Sequence, residues 1–253
     1  MSKNTKHKTK WNKMFIVLIF FFNNYMIVKS QIINDPCNSD YPFIGIPETT
    51  LCDQYGNLPC TIFVGEGTNI PSSHILGSSY TGNVCIVGDF KINNNFTFIN
   101  CIIKIAPGVD ISVLPVNIGK RTFVVDNSKL FCCTDLWEGI YLWHNTVIIT
   151  KNNTIIEDAK TAIKNLTDIN TSLNITNTTF NRNVIGIFLN QISSTVSSVR
   201  IDKFNSNRFT CTSPLNGTTN QISLAGIKSN NVPLAINPKS TLTIIPLRDF
   251  KME

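Results

Sequence analysis

From about Asn83 onward the chain alternates apolar and polar residues in short runs that meet an asparagine. The runs are FTFINCIIKI at Phe96, TFVVDNSKLF at Thr122, VIITKNNTII at Val147, LNITNTTF at Leu173 and VRIDKFNSNRF at Val199. A period of two in β-branched segments predicts strands with one buried face. Leu130, Ile155 and Phe180 follow at intervals of 25 by subtraction, as do Asn127, Asn152 and Asn177. A second motif keeps phase with the first: WEGIYLW around Gly139, TAIKNL around Ala162, VIGIFLN around Gly186 and LAGIKSN around Gly226. The first three small residues are spaced 23 and 24, and the jump of 40 to Gly226 implies an insertion around TCTSPLNGTTN.

A repeat of 20–50 residues means a solenoid, a propeller or an array. There is no room in each unit for an amphipathic helix of ten residues, no leucine ladder, and too little chain for a propeller blade of about 40 residues. About 25 residues suit one coil of a three-sided β-helix whose coils pair in parallel roughly 4.8 Å apart. Asparagine fits the corners because it tolerates turn conformations, and its amides can stack along the axis. A general enrichment in Asn, Ile and Lys contributes as well. The expected fold is therefore all-β, a right-handed parallel β-helix of about 25 residues per coil. Aligning Gly139, Ala162 and Gly186 turns Ile140, Ile163, Ile187, Leu142 and Leu189 inward. Tyr141, Lys164 and Phe188 then point outward together, with Trp143, Leu166 and Asn190 as the next outward column.

The runs NFTFINCIIKIAPGVDISV, SKLFCCTDLWEGIYLW, TIIEDAKTAI and TTFNRNVIGIFL resemble the right-handed parallel β-helix, pectate-lyase-like repeat proteins exported by bacteria, often through type IX secretion. The resemblance covers Val84 to Leu189 well and the remainder loosely. It implies the architecture and leaves the role open, because such proteins include polysaccharide lyases, glycoside hydrolases and adhesins. They commonly continue for more coils and end in a sorting domain, whereas this chain ends at TIIPLRDFKME. Solenoids need a polar terminal cap, and none is read there, so a truncated or short variant is expected.

Upstream of the repeats the texture changes twice. Residues 1–30 combine a lysine-rich start, the apolar run MFIVLIFFF from Met14 to Phe22, and Val28 and Ser30 placed for cleavage before Gln31. This is the pattern of a secretory signal peptide; retention as an anchor is the alternative. Residues 31–82 are rich in turns and read as an irregular lead-in or cap. LPCTIFVGEG is their one extended piece, and no helix start signal is read among them. Residues 83–253 carry the repeats.

Charge and cysteine then narrow the location. Formal net charge is +6, but residues 1–30 hold six lysines and no acid, leaving 22 − 6 = 16 basic against 16 acidic side chains. A neutral body with scattered arginines argues against nucleic acid. Charged residues make up 15%, well below the roughly 25% of typical soluble domains, which excludes a charged disordered tail. No apolar run of about 18 follows the leader, so no stable span is expected after its removal. All eight cysteines lie beyond residue 30, as in a disulfide-bonded exported protein. Eight allow 105 pairings; Cys132 and Cys133, being adjacent, are not expected to pair with each other. Neither His74 nor His144 stands in zinc-ligand spacing with them, so no metal site is expected.

Candidate chemistry is sparse. Tyr141 and Trp143, with His144 at the edge, form an outward strip that can stack on sugar rings. Covering a neighbouring segment is the structural alternative. Glu157 and Arg182 are 25 apart and Asp158 matches Asn183, which makes Glu157, Asp158 and Arg182 the candidate catalytic group. A ladder ion pair is its structural counterpart. No cofactor is expected, with calcium held by acidic oxygens entering only if the protein were a lyase. Sequons stand at Asn95, Asn152, Asn165, Asn170, Asn174, Asn177 and Asn216; in an Asn- and Thr-rich repeat they arise by chance, and glycosylation is not expected. The expected role is a secreted or cell-surface module, non-catalytic, binding carbohydrate or a surface protein. A polysaccharide lyase or glycoside hydrolase is the alternative.

Overall fold

The computed structural model describes residues 49–167, 169–190, 199–211, 215 and 225–230. The leader, residues 31–48 of the lead-in and the C-terminal residues 231–253 lie outside them, as does the sequon at Asn216.

Among the described residues nineteen short strands wind as a right-handed parallel β-solenoid with three sheets. A first coil contributes β1 (Ile62–Val64) and β2 (Ser79–Tyr80), its middle side reduced to a bridge between Ser72 and Lys91. The second contributes β3 (Asn83–Ile86), β4 (Phe90–Ile92) and β5 (Phe96–Ile99). Then come β6 (Ile102–Ile105), β7 (Asp110–Val113) and β8 (Arg121–Asp126), followed by β9 (Lys129–Phe131), β10 (Gly139–Leu142) and β11 (Thr146–Lys151). The fifth and sixth coils hold β12 (Thr154–Glu157), β13 (Thr161–Asn165), β14 (Ser172–Thr176), β15 (Thr178–Asn181), β16 (Ile185–Asn190) and β17 (Arg200–Asn205). β18 (Arg208–Thr210) and β19 (Ala225–Asn230) begin a seventh. Every third strand stacks on its predecessor, giving the sheet orders β1-β3-β6-β9-β12-β15-β18, β4-β7-β10-β13-β16-β19 and β2-β5-β8-β11-β14-β17. Strand pairing thus begins at β1, within the extended piece read in the lead-in.

Alternation decides what fills the tube. Ile140, Ile163, Ile187, Leu142 and Leu189 are fully buried, as the repeat phase requires. Near the first coils Phe90, Phe96, Phe98 and Phe123 pack edge-on and stacked at 4.9–6.4 Å between centroids. The spacing of a parallel ladder forces residues of successive coils into contact, so large and small inward side chains must alternate to fill the section.

Corners are made by left-handed residues. Asn100, Asn127, Asn152, Asn153, Asn177 and Ser206 turn the third sheet into the first, all at φ between 47° and 64°. Asparagine tolerates this region because its short side chain bonds locally. Asn127 Nδ2 donates to Asn100 Oδ1 at 2.8 Å, and Asn170 Nδ2 to Asn145 Oδ1 at 2.9 Å on another corner. The residue after each first-sheet corner, Cys101, Ser128, Thr154, Thr178 or Asn207, points inward and is buried. Its polar atoms reach carbonyls or amides of adjoining backbone, as in Thr154 Oγ1 to Val125 O at 3.0 Å and Asn207 Nδ2 to Ile175 O at 2.9 Å.

One corner corrects the sequence alignment. Asn127, Asn152 and Asn177 are all corner residues, but Asn153 adds a second left-handed residue at φ 64°. The next strand is delayed by one position, so Leu130 stacks on Ile156 and Ile156 on Phe180, not on Ile155. The same delay pairs Glu157 with Asn181. It breaks the expected matches of Glu157 with Arg182 and of Asp158 with Asn183: Arg182 binds Asp158, and Asn183 Oδ1 accepts from Ala159 N at 2.8 Å.

A second correction concerns the lead-in. A one-turn helix, α1 (Leu51–Tyr55), is closed by a capping box of Thr50 and Asp53. Aspartate at the third position and only five residues leave no 3.6-period run to read. The segment from Thr49 to Cys60 lies as a strap against the outside of the first sheet. Leu51 N donates to Glu157 Oε1 at 3.0 Å, and Lys104 Nζ donates to the carbonyls of Gly56 and Leu58 at 3.1 and 2.6 Å. Cys52–Cys133 and Cys60–Cys85 tie both ends, with Cα separations of 5.2 and 5.6 Å. Cys132 and Cys133 indeed do not bond to each other, and Cys211 is also disulfide-bonded. Among the described residues no helix is long and apolar enough to cross a membrane.

Candidate functional site

The outward column of the second sheet is an ordered run of aromatic and charged side chains. Lys91, Ser112, Tyr141, Lys164, Phe188 and Lys228 succeed one another on six adjacent strands. Lys164 Nζ lies 5.7 Å from the Tyr141 ring and 5.8 Å from Phe188; Lys228 Nζ lies 5.3 Å from Phe188. A ring quadrupole attracts such cations, so aromatic and ammonium groups hold each other upright along the axis. Neither Lys164 nor Lys228 forms an ion pair among the described residues.

One end of this column is acidic. Tyr141 Oη donates to Glu138 Oε2 at 3.1 Å, and Lys160 Nζ sits 2.6 Å from Glu138 Oε1. Ser112 Oγ donates to Asp110 Oδ1 at 2.7 Å. Burial pushes the Asp110 carboxyl up, against the pull of Ser112. Burial, then the charge of Glu138, raises the Tyr141 phenol. Trp143, 36% exposed, stands at the following position with His144 half-buried at the corner. Tyr141 on β10 and Trp143 just past its end thus face outward two positions apart, and the lysine beside the Tyr141 ring is Lys164, the neighbour that the repeat phase puts there. Lys228 stands two residues past Gly226, as Tyr141, Lys164 and Phe188 stand two past Gly139, Ala162 and Gly186, and it extends the column beyond the three residues read from the sequence.

Glu157, Asp158 and Arg182 are brought together, but inside. They are 2%, 0% and 3% exposed. Arg182 Nε donates to Asp158 Oδ1 at 2.9 Å, with its Nη2 bonding the same oxygen, while Glu157 Oε1 is 4.0 Å from Arg182 Nε. Burial drives the Asp158 carboxyl up to about 7 despite Arg182, and Asp158 Oδ2 has no hydrogen-bond partner among the described residues. Burial also raises Glu157, whose Oε2 accepts from Asn181 Nδ2 at 2.9 Å. With one oxygen on the strap and one on Asn181, Glu157 fastens α1 to the fifth coil. It also borders a cleft of about 220 Å³ between strap and first sheet, lined further by Gln54, Tyr55, Lys129, Thr179 and Arg208.

No protein-family model, no curated protein and no solved structure matches the chain. What the residues establish is a parallel β-solenoid stapled by disulfides.

Proposed function

We propose that this protein is an exported, non-catalytic β-solenoid module of the secreted or cell-surface type, which binds a carbohydrate or a surface protein through the outward column of its second sheet. The observation that carries this reading is the uninterrupted succession Tyr141, Lys164, Phe188 and Lys228, in which ammonium groups alternate with rings at the spacing of the coils. Rings supply apolar contact to a sugar face or a protein side chain, and the ammonium groups supply donors. Disulfides fit an oxidising compartment, and the solenoid is the architecture expected from the pectate-lyase-like resemblance. Burial of Asp158 and Arg182, ion-paired to each other, supports a structural role for the acidic cluster.

A glycan array probed with the refolded chain, followed by titration of any hit, tests the reading. Lys164→Ala and Phe188→Ala should each weaken binding at least about tenfold, the size expected for a cation–π contact plus apolar burial, while Lys151→Ala on the third sheet should leave it unchanged. No signal above background for a folded protein overturns carbohydrate binding. The lyase or hydrolase reading rests on Glu157 bordering the cleft, and turnover of acidic polysaccharide abolished by Glu157→Gln would establish it.

A further inference from the structure

Seven sequons survive from the sequence without a role; Asn216 lies outside the described residues, Asn174 stands half-buried on β14, and the fold sorts the other five sharply. Asn165 is 1% exposed, and its amide nitrogen donates to both Thr167 O at 2.8 Å and Asn190 O at 2.7 Å. Asn170 is bound into the corner ladder through Asn145. Asn95, Asn152 and Asn177, by contrast, are exposed. Asn95 holds its neighbour through its oxygen, which accepts from Thr122 N at 2.9 Å, so this bond does not use the amide nitrogen. Asn177 occupies a corner at φ 47°, and Asn152 spends one amide hydrogen on Asp126 Oδ1 at 2.7 Å. The three surround the third sheet and its corners, and none stands on the outward column of the second sheet.

We infer that Asn95, Asn152 and Asn177 are N-glycosylation sites, so that sugars coat the third side of the solenoid and leave the second sheet bare. The inference rests on the reading that the chain is exported, and adds that its export pathway holds a lipid-pyrophosphate-linked oligosaccharide. In the transfer, the Asn Nδ2 bonds the anomeric carbon and loses a proton, while the bond from that carbon to the lipid pyrophosphate breaks and the pyrophosphate leaves with the electron pair. Because transfer precedes folding, the fold acts afterwards: a chain modified at Asn165 cannot bury that residue and is lost, whereas chains modified at the three exposed sites fold normally.

The full chain, expressed with its leader in a eukaryotic secretory host, is recovered from the medium. It is treated with peptide N-glycosidase, which converts each modified Asn to Asp, and mapped by mass spectrometry. The expected result is a loss of mass, with Asp at 95, 152 and 177 and unaltered Asn at 165. Exported, disulfide-bonded protein whose mass does not change overturns the inference alone, and so does modified Asn165 in folded material. Protein retained in the cytosol with reduced cysteines overturns the export reading and the inference with it.

Discussion

Adding one methyl group at Gly139 should come close to unfolding the protein. Gly139 opens β10 at φ 126°, and a Cβ there would lie 1.7 Å from Thr161 O on the next coil. Carbon and oxygen need at least 3.0 Å, so the two coils must part locally by 3.0 − 1.7 = 1.3 Å. That shift breaks the rung formed by Thr161 N to Glu138 O at 3.1 Å and Lys160 N to Trp137 O at 2.7 Å. Two hydrogen bonds at about 1 kcal/mol each, with about 2 kcal/mol of backbone strain, give a loss of about 4 kcal/mol for Gly139→Ala. Domains of ordinary stability hold only about 5–15 kcal/mol. Gly119 is the matched control: its φ is 79° and nothing lies within 4 Å of a Cβ, so Gly119→Ala should cost only about 1 kcal/mol. Urea unfolding of both variants with disulfides intact, followed by circular dichroism and the fluorescence of buried Trp137, measures the difference. Losses within about 1 kcal/mol of each other would refute the argument that coil-to-coil contact, and not φ alone, requires glycine here.

Three further outcomes follow from the buried groups. The Asp158 carboxyl is raised from 3.8 to about 7, so the native state holds this proton more tightly than the unfolded chain. Its contribution is complete below pH about 4 and lost as pH climbs through 7; the urea midpoint should fall over that window, Asp158→Asn should flatten the fall, and a midpoint that rises instead contradicts the assignment. Replacing Cys52 and Cys133 together by serine removes a cross-link spanning 81 residues, expected to cost about 4 kcal/mol and to expose the strap to limited proteolysis, so an unchanged melting temperature would deny it any role. Asn165→Leu puts an apolar residue opposite Leu142 yet should destabilise by about 2 kcal/mol, since Asn190 N and two carbonyls lose their partner; calorimetry showing a gain would contradict this.

Much of the solenoid is legible in the sequence because the signals are local. Alternation marks strands, Asn marks corners, and the stacked trio Ile140, Ile163 and Ile187 is read directly from the repeat phase. What escapes is anything depending on a single inserted residue: Asn153 lengthens one corner without altering the pattern on either side, and that was enough to pair Glu157 with the wrong partner. The strap was illegible for a different reason. A five-residue helix has no periodicity, and its attachment to Glu157 and Cys133 joins positions 106 and 81 residues away. The candidate surface was half visible: Tyr141, Lys164 and Phe188 share an outward column by phase, but their cation–π contacts need coordinates.

The strap changes how this protein should come apart. Coils that touch only their immediate neighbours can fray one at a time from an exposed end, so a solenoid's unfolding is graded. Here Cys60 grips the second coil, Cys52 the fourth and Leu51 the fifth. The N-terminal coils therefore cannot peel away singly while those anchors hold. Hydrogen exchange should show β3 to β12 opening as one cooperative block.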